Sequence, residues 1–142
     1  MKSKPLVLEH LRTGHESIII DFTFKNNITI LTGPAGTGKT MAFSIIKECE
    51  ANASGILCLN YLKTQEEIVI KISESKGKLI VIDNSDVLLT DKIRKYISMD
   101  DKNQYLIIGR NPKNLFATKE NLFGLENLVI DNQTVMKLKP TF

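Results

Sequence analysis

Eight consecutive residues, Gly33-Pro34-Ala35-Gly36-Thr37-Gly38-Lys39-Thr40, concentrate the chemistry that this sequence offers. They fit the spacing G-x-x-x-x-G-K-[ST] at every fixed position. Glycines at 33, 36 and 38 let the backbone curl until successive N–H groups face inward as an anion nest, and a helix starting at its end adds a positive pole. A triphosphate is the guest such a nest suits. Lys39 is placed to reach its β- and γ-phosphates as a point charge, the Thr40 hydroxyl to take one coordination position on Mg²⁺, and Thr37 to add a hydrogen bond. The expected contact set is Gly33, Pro34, Ala35, Gly36, Thr37, Gly38, Lys39, Thr40 and Met41.

Such a loop works only between a strand and a helix, and the flanking residues supply both. Residues 28–32 are short and β-branched, as a strand is, while Met41, Ala42, Ile45, Ile46 and Cys49 recur at helical spacing before a stop at 52–55. Residues 56–60 and 78–83 are nearly unbroken apolar runs, the pattern of strands buried on both faces. Between them the isoleucines at 68, 70 and 72 alternate as in a strand, but Thr64-Gln65-Glu66-Glu67 is a capping box, which decides for a helix ended by Gly77. Leu89, Ile93 and Ile97 predict a helix over 86–98, with Thr90 able to cap a separate turn from Asp91. A further strand is expected at 104–109, with Arg110-Asn111-Pro112 leaving it as a loop.

Both ends of the sequence read as hairpins. Apolar stretches at 6–11 and 18–24 flank a loop containing Gly14, and 128–130 and 134–138 flank Asp131-Asn132-Gln133. The fold class expected from these elements is α/β, a three-layer α/β/α arrangement on a mainly parallel sheet with an N-terminal and a C-terminal hairpin. Its 142 residues predict a single domain over 1–142.

A second carboxylate supports the reading of the loop. Asp83 closes an apolar strand, where it is placed to hold the Mg²⁺ hydration shell. Phe22 and Phe24 share one strand face and are expected in the core rather than beneath a base. Cys49 and Cys58 match no metal or disulfide spacing and read as small buried hydrophobes. The net charge of +3 is mild, so nucleic acid is left open without being indicated. No apolar run approaches the ~20 residues of a membrane span, and a cytoplasmic location is expected.

The stretch from Asn27 through Thr40, followed by an inserted strand at 56–60 and then 79–83, resembles the additional-strand P-loop ATPases, the group that holds the AAA and ABC-type ATPases. The resemblance covers about 26–111. It implies ATP and Mg²⁺ as ligands, a Walker A loop at 33–40, a Walker B aspartate at Asp83 and metal contacts from Thr40 and Asp83. It further implies a sensor of the γ-phosphate at Arg110 or Asn111, after the strand at 104–109. Under the ABC-type likeness, Arg12 and His15 in the first hairpin approach phosphate or adenine only if that hairpin folds over the loop.

Departures from the family pattern set the expected activity. Asn84 stands where AAA-like members usually carry a glutamate that polarises the attacking water, and an amide cannot accept that proton. Losing a positioned base costs about 10²- to 10⁴-fold in rate. The implied catalytic set is therefore Lys39, Asp83, Asn84, Arg110 and Asn111. The implied function is an Mg-ATP-dependent switch or assembly module, with weak hydrolysis or hydrolysis completed by a protein partner or a second copy. The alternative is a self-sufficient ATPase using Asp86 or a partner residue as base. A small-molecule kinase ranks lower, because Arg12, Arg94 and Arg110 cannot furnish an arginine-rich lid. Guanine recognition is disfavoured by Asn111-Pro112-Lys113-Asn114, which lacks the order Asn-Lys-x-Asp.

Overall fold

The computed structural model describes residues 4–34, 36–51, 55–60, 64–83, 85, 89–110 and 120–141. In chain order they form β1 (His10–His15), β2 (Ile18–Thr23), β3 (Ile28–Leu31), α1 (Lys39–Glu50), β4 (Ile56–Leu59), α2 (Gln65–Glu74), β5 (Leu79–Ile82), α3 (Asp91–Met99), β6 (Gln104–Ile108), β7 (Leu122–Ile130) and β8 (Gln133–Pro140). All the strands belong to one sheet in the order β1-β2-β8-β7-β3-β6-β5-β4. Among the described residues no helix is long and apolar enough to cross a membrane.

The three-layer α/β/α arrangement on a mainly parallel sheet is not what the chain adopts. The sheet is mixed and curled into a half-barrel, and among the described residues strands hold more residues than helices and the three helices are short. The cause is the two hairpins, which are built into the sheet instead of hanging from it. β1–β2 and β7–β8 pair antiparallel, while β2 runs parallel to β8 and β7 parallel to β3. Helical cover is correspondingly unequal. Ala42, Phe43, Ile45 and Ile46 of α1 pack on Leu11, Ile20, Phe22 and the facing residues of the other strands. Among the described residues, helices α2 and α3 share a core with strands β3 to β7, through Ile68, Ile72, Ile93 and Ile97 against Ile30, Ile80, Ile82, Tyr105 and Ile107. The face of β1, β2 and β8 that carries His10, Arg12, Asp21 and Lys137 has no described helix in its core cluster.

Local chemistry accounts for several element ends. The Thr64 hydroxyl accepts from Glu67 N while Glu67 accepts from Thr64 N, the reciprocal capping box that starts α2. Thr90 accepts from Ile93 N at 3.2 Å, the cap that starts α3 at Asp91. The second hairpin turns at Asp131-Asn132, both with positive φ, as a two-residue loop matched to strand twist requires. The first hairpin lies further along than expected: β1 runs through Gly14 to His15, and the turn falls at Glu16-Ser17. Residues 6–8 are held outside the sheet instead. Leu6 N donates to Asn27 Oδ1, and Val7 N and Leu8 N both donate to the buried Gln104 Oε1.

β6, rather than the inserted strand β4, stands between β3 and β5. β4 takes the far edge of the sheet. Phe22 and Phe24 are buried in an edge-to-face pair with ring centroids 6.4 Å apart, as core residues.

Candidate functional site

Register decides which residues meet. Leu31 lies beside Ile108 and Ile82 beside Ile107, all in parallel strands, so β3, β6 and β5 end at one edge of the sheet. Continuing those strands brings Thr32 and Gly33, Gly109 and Arg110, and Asp83 to that edge. β3 and β5 are separated by β6 alone, about 10 Å between their axes. The ends are also tied together. Gly109 N donates to Leu31 O at 3.1 Å, the Thr32 hydroxyl to Arg110 O at 2.9 Å, and Asp83 N to Leu59 O at 3.0 Å.

From this edge the glycine loop runs into α1. Gly36 and Gly38 have φ of 86° and 104°, conformations that side chains disfavour. Gly38 is the N-cap of α1 and carries no side chain to cap it, so no side-chain oxygen competes for the first N–H groups of the helix. Lys39 is buried at 8 % exposure, and its Nζ donates to Gly33 O at 2.5 Å and Pro34 O at 2.9 Å. The Thr37 hydroxyl donates to the same Pro34 carbonyl at 3.0 Å. These bonds bend the loop around the lysine head group. Thr40 and Met41 are exposed on the first turn of α1.

The Lys39 ammonium thus lies against two loop carbonyls at the start of α1, with Asp83 two strands away across β6. Thr40 and Asp83 would supply a hydroxyl and a carboxylate to Mg²⁺, the sparse protein contribution this cation takes when phosphates complete its shell. Among the described residues no cluster of three or more His, Cys, Asp or Glu is arranged to hold a metal.

Ala35, Asn84, Asp86 and Asn111 lie outside the described residues. Arg12 and His15 are placed elsewhere. Arg12 Nη1 donates to Asp21 Oδ2 at 3.0 Å on the sheet face opposite α1. His15 Nδ1 is 3.1 Å from Glu48 Oε2, on the last turns of α1 and about 13 Å along the helix from Lys39.

Two contributors were not singled out by spacing. Thr32 ties the start of the loop to Arg110, and its only sequence signal is its position before Gly33. Asn127 of β7 donates through Nδ2 to Thr37 O at 3.2 Å, and nothing local marks a residue ninety positions away. A groove of about 450 Å³, lined by Val69, Tyr96 and Met99 with lysines 92, 95 and 102 and aspartates 100 and 101, lies on the α2–α3 side near the start of β6, at the opposite end of the strand from the glycine loop.

The chain is 27 % identical over 136 residues to the RecBCD enzyme subunit RecD of Buchnera aphidicola subsp. Schizaphis graminum (strain Sg). The match takes in 87 % of this chain and 20 % of that subunit, so the chain spans about a fifth of the relative's length. No protein-family model matches the chain, and no solved structure does.

Proposed function

We propose that the chain binds Mg-ATP at the loop Gly33–Thr40 and acts as a nucleotide-controlled switch or assembly module, with hydrolysis that is weak or completed by a partner. The observation that carries this reading is the convergence, at one sheet edge, of the loop with its buried Lys39, Asp83 and Arg110. The partial likeness to RecD adds weak support for a P-loop nucleotide-binding protein.

In this reading the nest and α1 hold the β-phosphate, and Lys39 spans the β- and γ-phosphates. Thr40 and Asp83 orient the magnesium shell. Arg110 follows Gly109 at the end of β6, its carbonyl bonded by the Thr32 hydroxyl, where a cation offsets charge that builds on the γ-phosphate. Asn84 follows Asp83 and lacks the basicity to activate water, which makes occupancy rather than turnover the output.

The test is nucleotide binding and phosphate release measured together on the purified chain with Mg²⁺, with Lys39→Ala as the blank. Binding without turnover, lost in Lys39→Ala, is expected. Equal thermal stabilisation of both proteins by Mg-ATP would refute the loop assignment. Turnover abolished by Lys39→Ala would identify a self-sufficient ATPase instead.

A further inference from the structure

The β7–β8 hairpin touches the glycine loop at both residues of one peptide unit. Asn127 Nδ2 donates to Thr37 O at 3.2 Å. A Cβ placed on Gly38 would meet Leu125 Cδ2 and Met136 Cε, each at 3.2 Å. These three residues form one patch: Leu125 and Asn127 are two apart on β7, and Met136 is the direct partner of Asn127 on β8. The patch belongs to the sheet face that packs against α1, since Leu125 and Met136 share that core.

The peptide joining Thr37 and Gly38 is planar and trans, so its C=O and its N–H point in opposite directions. Holding the Thr37 carbonyl toward the hairpin therefore aims the Gly38 N–H away from it. A nest needs consecutive N–H groups aimed at one point, and a flipped peptide would present an oxygen to the anion. On the other limb of the loop, the carbonyls of Gly33 and Pro34 are held by Lys39. The Thr37–Gly38 unit has its own anchor in Asn127.

We infer that Asn127 is a positioning residue for phosphate binding: it fixes the Thr37–Gly38 peptide with its N–H in the nest, while Leu125 and Met136 back the glycine against displacement. This rests on the reading of the loop as a phosphate site. It makes the terminal hairpin a wall of that site and assigns a role to a residue outside the loop motif. Its ligand specificity is for the phosphate chain, not the base, because the contact acts only through the loop backbone.

The experiment titrates Mg-ATP and, separately, inorganic triphosphate with Mg²⁺ into the wild-type chain, Asn127→Leu and Asn127→Gln. Amide spectra are recorded before ligand is added. Asn127→Leu keeps the size and removes the donor. It is expected to weaken both ligands by the same factor, about three- to tenfold, the worth of one hydrogen bond. Asn127→Gln keeps the amide group and is expected to recover most of that loss. The Gly38 and Lys39 amide resonances are expected to move in Asn127→Leu, whose donor to the Thr37 carbonyl is gone. Unchanged triphosphate affinity, or a loss confined to Mg-ATP, would overturn the inference. A wild-type chain that takes neither ligand would defeat the phosphate reading itself. Unmoved Gly38 and Lys39 resonances would overturn the positioning role independently of any ligand.

Discussion

The hydroxyl of Thr32 donates to the backbone carbonyl of Arg110 at 2.9 Å, so the residue before the glycine loop is bonded to the residue that follows β6 and Gly109. Sequence separates them by 78 positions, and parallel pairing of β3 with β6 makes them neighbours. Thr32→Val keeps the shape and removes the donor. The expected cost is about 1 kcal/mol in unfolding free energy. If Arg110 acts on the γ-phosphate, any turnover falls further than Mg-ATP affinity. Denaturant titration and single-turnover phosphate release separate the two effects.

Asn84→Glu is expected to raise phosphate release, up to about 10²-fold or more if the missing base is the single defect in hydrolysis. The comparison is made at saturating Mg-ATP, so that a change in affinity does not mimic a change in rate. No gain would locate the deficiency in a group that a partner brings.

Asp21 sits under three cationic or potentially cationic groups, His10, Arg12 and Lys137, on the sheet face opposite α1. The hydrogen bond from His10 holds its carboxyl below the usual aspartate value, with Lys137 adding to the effect. A folded pKa lower than the unfolded one stabilises the fold above the unfolded value, near 3.9, and that stabilisation is lost as pH falls through the folded value. The wild type should therefore exceed Asp21→Asn in stability at pH 6, with the gap closing below about pH 4. Urea unfolding of both proteins across that range reads it directly.

The Cys58 thiol is pushed up to about 12, chiefly by burial and then by the nearby Glu50 carboxylate, whose Oε2 accepts from Cys58 N at 2.6 Å. Only thiolate reacts appreciably with alkylating reagents. At pH 8 the folded chain should lose Cys49, which is half-buried, well before Cys58. Both should label at similar rates in denaturant, as mass spectrometry of peptides would record.

The parts legible in sequence are those fixed by local chemistry. The strand–glycine loop–helix unit, the Thr64–Glu67 capping box, the Thr90 cap and the apolar runs of β4, β5 and β6 each follow from residues within one or two turns of each other. What was not legible depends on distant partners. β7 begins at Leu122, before the alternating segment, because its first residues pair with Ile30 and Leu31. Nothing near Ile18 announces that it lies beside Thr134. That pairing joins the hairpins to the sheet and defeats the layered expectation. For the proposed site, the loop motif points to Lys39 and Thr40, whereas Asn127 is brought to the loop only by the β7–β8 fold.

β8 and β7 lie between β2 and β3, so within the sheet the first hairpin reaches β3 only by way of the second. During synthesis, roughly 117 residues must follow β2 before β8 is complete, which takes on the order of 6 to 23 s at ordinary elongation rates. For that interval the hydrogen-bonding edge of β2 is unpaired, an opening for strand exchange between nascent chains. Packing of α1 on Leu11, Ile20 and Phe22 needs only residues made much earlier, and it gives the young hairpin apolar cover while its edge waits. The order in which the ribosome delivers the strands thus differs from the order in which the sheet holds them, and α1 bridges that delay.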